Sequence, residues 1–560
     1  MGKKKTERIF TNVNNIKEYL DVLNSHGDKT LYRWPVGKEY ASISYRDFYE
    51  KVIAIAKGFT ALGLDGKCIA VVGETSVEWV ATYLATLAVG GVIVPIDKEL
   101  DVSAIEGFLE TANSEAIVYS KSFNTKLAGL AEGHPTIKLL IPMDSTQERS
   151  DKVIPLDQII ADGEGTDFDV TERATDKLAV MLFTSGTTGT SKCVMLCERN
   201  VWSTVNSACA TVEFFKEDTI VSVLPLHHTY ELAVMLSALN YGMEVGINDS
   251  LLSLMKNFAE YKPTGLVLVP LFVNTMYNRI MNKAEKSGKL GKLKFAMKLS
   301  NFLRFFGIDL RRKLFAEVLG AFGGRLNKLV CGGAPLNPEM MKNFETFGIT
   351  IAEGYGITEC SPLISVNPYY NLKSGSVGPA VPSCTVRIHG ETKNDKGFTE
   401  GEIQVMGDNV MLGYKSEEEN AKAFTEDGWY RTGDVGYMDE DGYIYITGRL
   451  KSVIVLENGK NVFPEEIEEY LEKIADVGEV VVVGRKAEDN ETVKLTAIVY
   501  PSTDIYGEVP DTERAHKAIY EKIVEMNKKL PTFKQVRELE IRTEPFEKTT
   551  SRKIKRHLVK

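Results

Sequence analysis

Between Gly66 and Asp97 the chain reads as an apolar strand (Cys68 to Val72), a turn at Gly73, a helix (Val77 to Val89), a glycine pair and a second apolar strand (Val92 to Ile96). That is one parallel βαβ unit, because a crossover helix brings the second strand back in the same direction as the first. Continuously apolar strands recur at Ala116 to Tyr119, Lys138 to Ile141, Val221 to Leu224, Gly265 to Val269 and Lys328 to Cys331, alternating with helix-like stretches. A strand without a polar face has both faces covered, which predicts parallel sheets packed between helices. The uncharged run from Trp79 to Ile96 is almost long enough to cross a bilayer, but Gly90, Gly91 and Pro95 interrupt it. It reads as a buried helix turning into a buried strand.

Past about Ser374 the texture changes to short strands and glycine turns (Thr385 to His389, Gly401 to Met406, Gly442 to Thr447), which predicts a small β-rich lobe. From Phe463 a helix (Pro464 to Lys473), two strands (Val480 to Val483 and Lys494 to Tyr500) and a helix (Ala515 to Leu530) describe a separate α+β domain. Its length, about 110 residues, is ordinary for a domain. The expected fold class is therefore α/β, with a large N-terminal domain over 1–450 and a C-terminal domain over 451–560.

A net charge of -10 over 560 residues disfavours nucleic acid as a partner, since phosphate binding needs a broad basic surface. The seven cysteines are scattered without paired ligand spacing and read as free thiols in a reducing cytoplasm. Met1 to Thr6 is basic and leads into polar sequence, so no secretory segment is expected.

The segment Leu182 to Lys192 runs from apolar strand residues into Thr184, Ser185, Gly186, Thr187, Thr188, Gly189, Thr190, Ser191 and Lys192. Glycines expose backbone N–H groups and hydroxyls add donors, which together wrap phosphate oxygens. The ordinary P-loop spacing is absent, and the alternation of Val194 and Leu196 predicts a following strand, hence a hairpin rather than a loop opening a helix. Further along, Glu353-Gly354-Tyr355-Gly356-Ile357-Thr358-Glu359 places a carboxylate suited to a hard cation such as Mg²⁺. Asp434, within Trp429 to Asp434, is an acceptor able to hold two vicinal hydroxyls of a ribose; Arg449 offers a planar fork for ribose or phosphate oxygens, or for a surface salt bridge.

Together these segments resemble the adenylate-forming superfamily of acyl-CoA synthetases, firefly luciferase and peptide-synthetase adenylation domains, in whose order a TSGTTGxPKG loop, YGxTE, YRTGD, GRxKD and a terminal K-x-x-x-GK lysine follow one another. The resemblance covers nearly the whole chain and is strongest toward long-chain fatty acid–CoA ligases. It implies a large domain of two α/β sub-lobes plus the β-rich lobe, and a C-terminal domain that rotates about Lys451. It implies that Thr184 to Thr188, with Gly189 and Lys192, hold the ATP phosphates, and that Thr184 and Glu359 serve Mg²⁺. Gly333, Ala334, Pro335 and Tyr355 would line the adenine, with Glu353, Gly354, Gly356 and Thr358 around the nucleotide; Asp434 and Arg449 would grip the ribose. His228 would wall the acyl site, and Lys553 would reach the α-phosphate. Ser191, Cys193, Ser452 and Arg552 depart from the family pattern.

The activity implied is an acid–thiol ligase using ATP, Mg²⁺ and coenzyme A on medium to long fatty acids. Its alternatives are a carrier-protein thiol as acceptor and an aryl or other carboxylic acid as substrate. Lys289 to Phe306 interleaves basic and apolar residues at helical spacing. That pattern suits either peripheral contact with an anionic membrane at its inner surface or a core-facing helix with solvated lysines.

Overall fold

The computed structural model describes residues 10–185, 191–250, 252–456, 461–486, 493–548 and 554–559. Contacts group them into two units: one holds residues up to Thr184, Ser191–Val386 and Val405–Tyr430, the other Arg387–Gln404 and the chain from Arg431 onward.

The first unit contains the βαβ core. A seven-stranded sheet runs in the order Gly413–Tyr414, Ser191–Cys197, Leu178–Ser185, Val92–Ile96, Cys68–Val72, Ala116–Tyr119, Leu139–Pro142. Its strands from Val92–Ile96 to Leu139–Pro142 pair in parallel, whereas Gly413–Tyr414 pairs antiparallel with Ser191–Cys197. The crossover helix Val77–Ala88 starts where the Ser76 hydroxyl accepts the N–H of Trp79, an N-cap that satisfies one orphan donor. It buries every residue except Glu78, so the long apolar run is core, as the interrupting glycines predict.

A second sheet joins Gly265–Leu268, Lys328–Gly332 and Thr350–Gly356 in parallel and adds Leu363–Val366 antiparallel. A third orders Glu39–Ser44, Thr30–Val36, Glu244–Ile247 and Thr219–Ser222. The last of these was expected at Val221 to Leu224. It stops at Ser222 because the backbone amides of Val223 and Leu224 turn to the buried carboxyl of Glu231.

The helix Leu290–Phe305 forms where the interleaved pattern predicts one, but it buries only Ser300. Leu293, Ala296, Met297 and Leu303 are half-buried along one face, while Lys292, Lys294 and Lys298 are solvated and Phe295, Phe302 and Phe305 are 68%, 61% and 83% exposed, so the helix presents both a domain-facing side and an exposed aromatic one.

The β-rich lobe is a four-stranded sheet in the order Cys384–Lys393, Thr399–Gly407, Tyr430–Met438, Ile444–Arg449. In the second unit the strands Val477–Lys486 and Val493–Pro501 pair antiparallel, and Glu538–Ile541 adds in parallel. The helices Pro464–Leu471 and Thr512–Asn527 contribute Ile467, Leu471, Ile519 and Ile523 to a core shared with Val480, Val482 and Val499. No helix among the described residues is long and apolar enough to cross a membrane.

Candidate active site

In the first unit the parallel strands Lys328–Gly332 and Thr350–Gly356 end side by side, with Cys331 opposite Glu353 and Gly332 opposite Gly354. Gly333, Ala334 and Pro335 therefore leave one strand where Gly354, Tyr355 and Gly356 finish the next. Ligands of open parallel sheets lie at such carboxyl ends. Gly333 has φ +82°, a left-handed conformation that glycine adopts without a steric penalty. The helix Thr229–Tyr241, with His228 as its N-cap residue, starts against the same edge. Tyr230 Oη lies 3.4 Å from the carbonyl of Leu268, and a Cβ on Gly332 would stand 3.2 Å from that hydroxyl.

The His228 ring lies 4.2 Å from that of His227, tilted by 53°, and His227 Nε2 is 3.5 Å from Asp97 Oδ2. Burial, then the neighbouring His228, hold the His227 imidazole below its ordinary pKa, so it is neutral at physiological pH. Glu231, in the first turn of the helix that His228 begins, is buried. The Ser222 hydroxyl donates to it at 2.5 Å, and burial pushes its carboxyl up to about 8.

Thr358 and Glu359 lie in a short turn, Thr358–Cys360, whose backbone is tied down where Met411 N–H donates to the Glu359 carbonyl at 2.8 Å. Tyr414 Oη donates to Glu359 Oε1 at 2.6 Å, and Tyr430 Oη is 3.2 Å from Tyr414 Oη. Burial, reinforced by the Glu359 charge, lifts both phenols far above their ordinary pKa, so they remain donors. Among the described residues no cluster of three acidic, His or Cys side chains could cage a metal alone. Mg²⁺ characteristically takes one or two carboxylates and completes its shell with substrate phosphates and water. A single carboxylate whose partner is a neutral phenol keeps its charge for a cation, and that donor set fits.

Thr184 and Lys192 sit at the facing ends of adjacent strands, Leu178–Ser185 and Ser191–Cys197, which agrees with the predicted hairpin. Its tip, with Gly186, Thr187, Thr188 and Gly189, lies outside the described residues, as does the Ser185 side chain. Lys192 Nζ is 4.8 Å from the centre of the Tyr414 ring and forms an ion pair with Glu419.

In the second unit Asp434 and Arg449 are register partners, and the Arg449 Nε lies 2.8 Å from Asp434 Oδ1. The carboxylate is buried and the guanidinium half exposed. Lys451 is exposed in the short turn Leu450–Ser452. Lys553 lies outside the described residues, but the chain on either side of its segment is anchored. Lys548 bridges to Ile554 and pairs with Glu479 at 2.7 Å, while Arg556 pairs with the buried Glu468.

Sequence reasoning gave no role to Tyr414 or Glu231, and met Tyr430 and Asp97 only as members of the YRTGD-like segment and of the βαβ unit. No local signal marks Tyr414 or Glu231, since a strand tyrosine and a helical glutamate are common on any surface.

A family model described as AMP-binding enzyme matches residues 21–415, and one for the AMP-binding enzyme C-terminal domain matches 451–560. The chain belongs to this family. This AMP-binding enzyme is 30% identical over 480 residues to the long-chain-fatty-acid–CoA ligase FadD15 of Mycobacterium bovis, covering 82% of this chain and 78% of that one. Against the human long-chain-fatty-acid–CoA ligase 1 it is 28% identical, covering 94% and 80%. Two solved structures share its fold. The adenylation domain of a carboxylate reductase from Mycobacterium chelonae has a TM-score of 0.80 at 22% identity, covering 98% of this chain and 90% of that one. ATP-bound MatB from Rhodopseudomonas palustris has 0.73 at 24% identity, covering 96% and 98%.

Proposed function

We propose that this AMP-binding enzyme is a fatty acid–CoA ligase that activates a medium- to long-chain acid with ATP and transfers it to coenzyme A. The observation that carries the reading is similarity over four-fifths of the chain to proteins named long-chain-fatty-acid–CoA ligases. The carboxylate of the acid attacks the α-phosphorus of ATP, giving acyl-adenylate and pyrophosphate. The thiol of coenzyme A then displaces AMP. The edge bearing His228 and Gly333 to Pro335 would seat acid and adenine, and Thr184, the hairpin hydroxyls and Lys192 would hold the phosphates. Asp434 and Arg449 would take the ribose hydroxyls. Glu359, with Thr184, would hold Mg²⁺, which when bound supplies positive charge beside the phosphates. Lys553 would neutralise charge at the α-phosphate, an electrostatic contribution worth about a hundred- to a thousandfold in rate.

The two steps need different groups at one phosphorus, so the domain at 451–560 would turn about Lys451 relative to 1–450 between them. The test is pyrophosphate exchange into ATP together with product analysis: palmitate-dependent exchange, AMP rather than ADP, and palmitoyl-CoA are expected. Exchange that no organic acid supports would overturn the reading. Faster transfer to a holo carrier protein than to coenzyme A would reassign the acceptor, and activity confined to aryl acids would reassign the substrate.

A peripheral membrane contact is supported by one surface. From Arg279 to Lys313 there are eleven lysines and arginines against Glu285 and Asp309, in a chain whose net charge is -10. On the same stretch Phe302, Phe305 and Phe306 pack on one another at 5.1 and 5.3 Å while staying exposed. Exposed aromatics flanked by cations match an anionic bilayer surface. Co-sedimentation with anionic liposomes should fall when Lys292, Lys294 and Lys298 become Glu, and unchanged partitioning would remove the contact.

A further inference from the structure

Tyr414 is immobilised to a degree that its place in a two-residue strand does not require. The side-chain amide of Asn420 clasps its backbone on both sides, accepting from the N–H at 2.6 Å and donating to the carbonyl at 2.7 Å. The preceding Gly413 has φ +142°, and a Cβ there would meet Asn420 Oδ1 at 2.8 Å, so glycine is what lets the amide approach. In the sheet Tyr414 pairs with Val194, and the ring is covered by the Lys192 ammonium at 4.8 Å, which Glu419 holds by an ion pair. At the hydroxyl end, Tyr430 Oη is 3.2 Å away, and the Tyr430 ring is itself fixed edge-on by Phe424 at 5.6 Å.

The proton count sets the direction of this chain. A carboxylate oxygen only accepts, so the single O–H of Tyr414 is committed to Glu359 Oε1, and the contact between phenols is filled by the O–H of Tyr430. Both donors point toward the carboxylate, an arrangement in which each bond polarises the next. Oε1 is thereby engaged, and among the described residues no donor is recorded on Oε2.

We propose that Tyr414 is a positioning residue for the divalent cation: by holding Oε1 it fixes the plane of the Glu359 carboxylate and presents Oε2 to a Mg²⁺ shared with the nucleotide phosphates. A neutral donor orients the carboxylate without cancelling the charge that attracts the cation, which a lysine or arginine in its place would do. This inference rests on the assignment of Glu359 as the metal-binding carboxylate. Partners that orient a metal-binding carboxylate typically cost about ten- to a hundredfold in metal affinity when removed.

The experiment uses the full chain with α,β-methylene-ATP and no acid. Mn²⁺ affinity is read by electron paramagnetic resonance, and metal-free nucleotide affinity by calorimetry, for wild type, Tyr414→Phe, Tyr430→Phe and Glu359→Gln. Tyr414→Phe should weaken Mn²⁺ binding about tenfold and leave metal-free nucleotide binding unchanged, with Tyr430→Phe weakening Mn²⁺ about threefold. If Glu359→Gln weakens Mn²⁺ binding and Tyr414→Phe does not, the positioning role is overturned and the Glu359 assignment stands. If neither does, the assignment itself fails. Equal losses of metal-bound and metal-free affinity in Tyr414→Phe would make the residue merely structural and overturn the inference. Should Tyr414→Phe not fold, Tyr430→Phe decides: undiminished Mn²⁺ affinity there overturns it.

Discussion

Glu359 and Asp434 are the two carboxylates for which we propose roles toward a nucleotide, and their surroundings are opposite. Glu359 accepts from a phenol that carries no charge, whereas Asp434, buried in its own unit, faces the guanidinium of Arg449 at 2.8 Å. A carboxylate held by a neutral donor keeps its full field for an incoming cation. One held by a cation is neutralised at long range and acts through hydrogen-bond geometry, which is what uncharged ribose hydroxyls need. The partner, more than the carboxylate, decides which part of a nucleotide a site suits.

The largest effect expected from breaking this comparison is at Glu359. Glu359→Gln keeps shape and the hydrogen bond but removes the charge, and adenylate formation measured by pyrophosphate exchange should fall about a hundred- to a thousandfold. Excess Mg²⁺ should restore part of it. A loss of less than about fivefold would show that the charge is not what this position supplies.

The second effect is smaller. Arg449→Gln gives Asp434 a neutral neighbour, making it resemble Glu359, and ATP affinity should weaken about tenfold, the scale of one hydrogen bond to a charged group. The melting temperature should move little, because the guanidinium is half exposed and exposed pairs add little stability. A lowered melting temperature with unchanged ATP affinity would make the pair a strut of the strands Tyr430–Met438 and Ile444–Arg449 rather than a ribose clamp.

How far the sequence disclosed these arrangements follows from the range of the forces involved. The βαβ unit at Gly66 to Asp97 was legible because continuous apolarity is a local property and fixes burial on both faces. The motif order from Thr184 to Arg449 was legible because each motif is made of residues adjacent in the chain. Tyr414 was not, since its partners Glu359 and Tyr430 lie 55 and 16 residues away and its own strand has two residues. Leu290–Phe305 shows the converse: periodicity gives the helix, but only the surrounding fold decides that its phenylalanines face outward. Glu231, one turn after His228, looks like any first-turn glutamate until Ser222 is brought beside it.

That third carboxylate supplies the smallest effect and completes the comparison. Among the described residues Glu231 meets a hydroxyl and two backbone amides rather than a cation, and burial raises its carboxyl to about 8. An unfolded glutamate loses its proton near pH 4.5. Between that value and about 8 the folded protein therefore binds the extra proton, so this residue makes stability fall as pH rises through the window and level off above it. Glu231→Gln, neutral at every pH, should flatten that part of the curve. Melting temperatures taken at pH 5, 6.5 and 8 should decline less in the variant than in wild type, by on the order of 2 °C across the range. Parallel curves would mean that the carboxyl is ionised in the folded chain and that Ser222, Val223 and Leu224 compensate its burial in full, which would move Glu231 from the neutral extreme of the comparison to the side of Glu359.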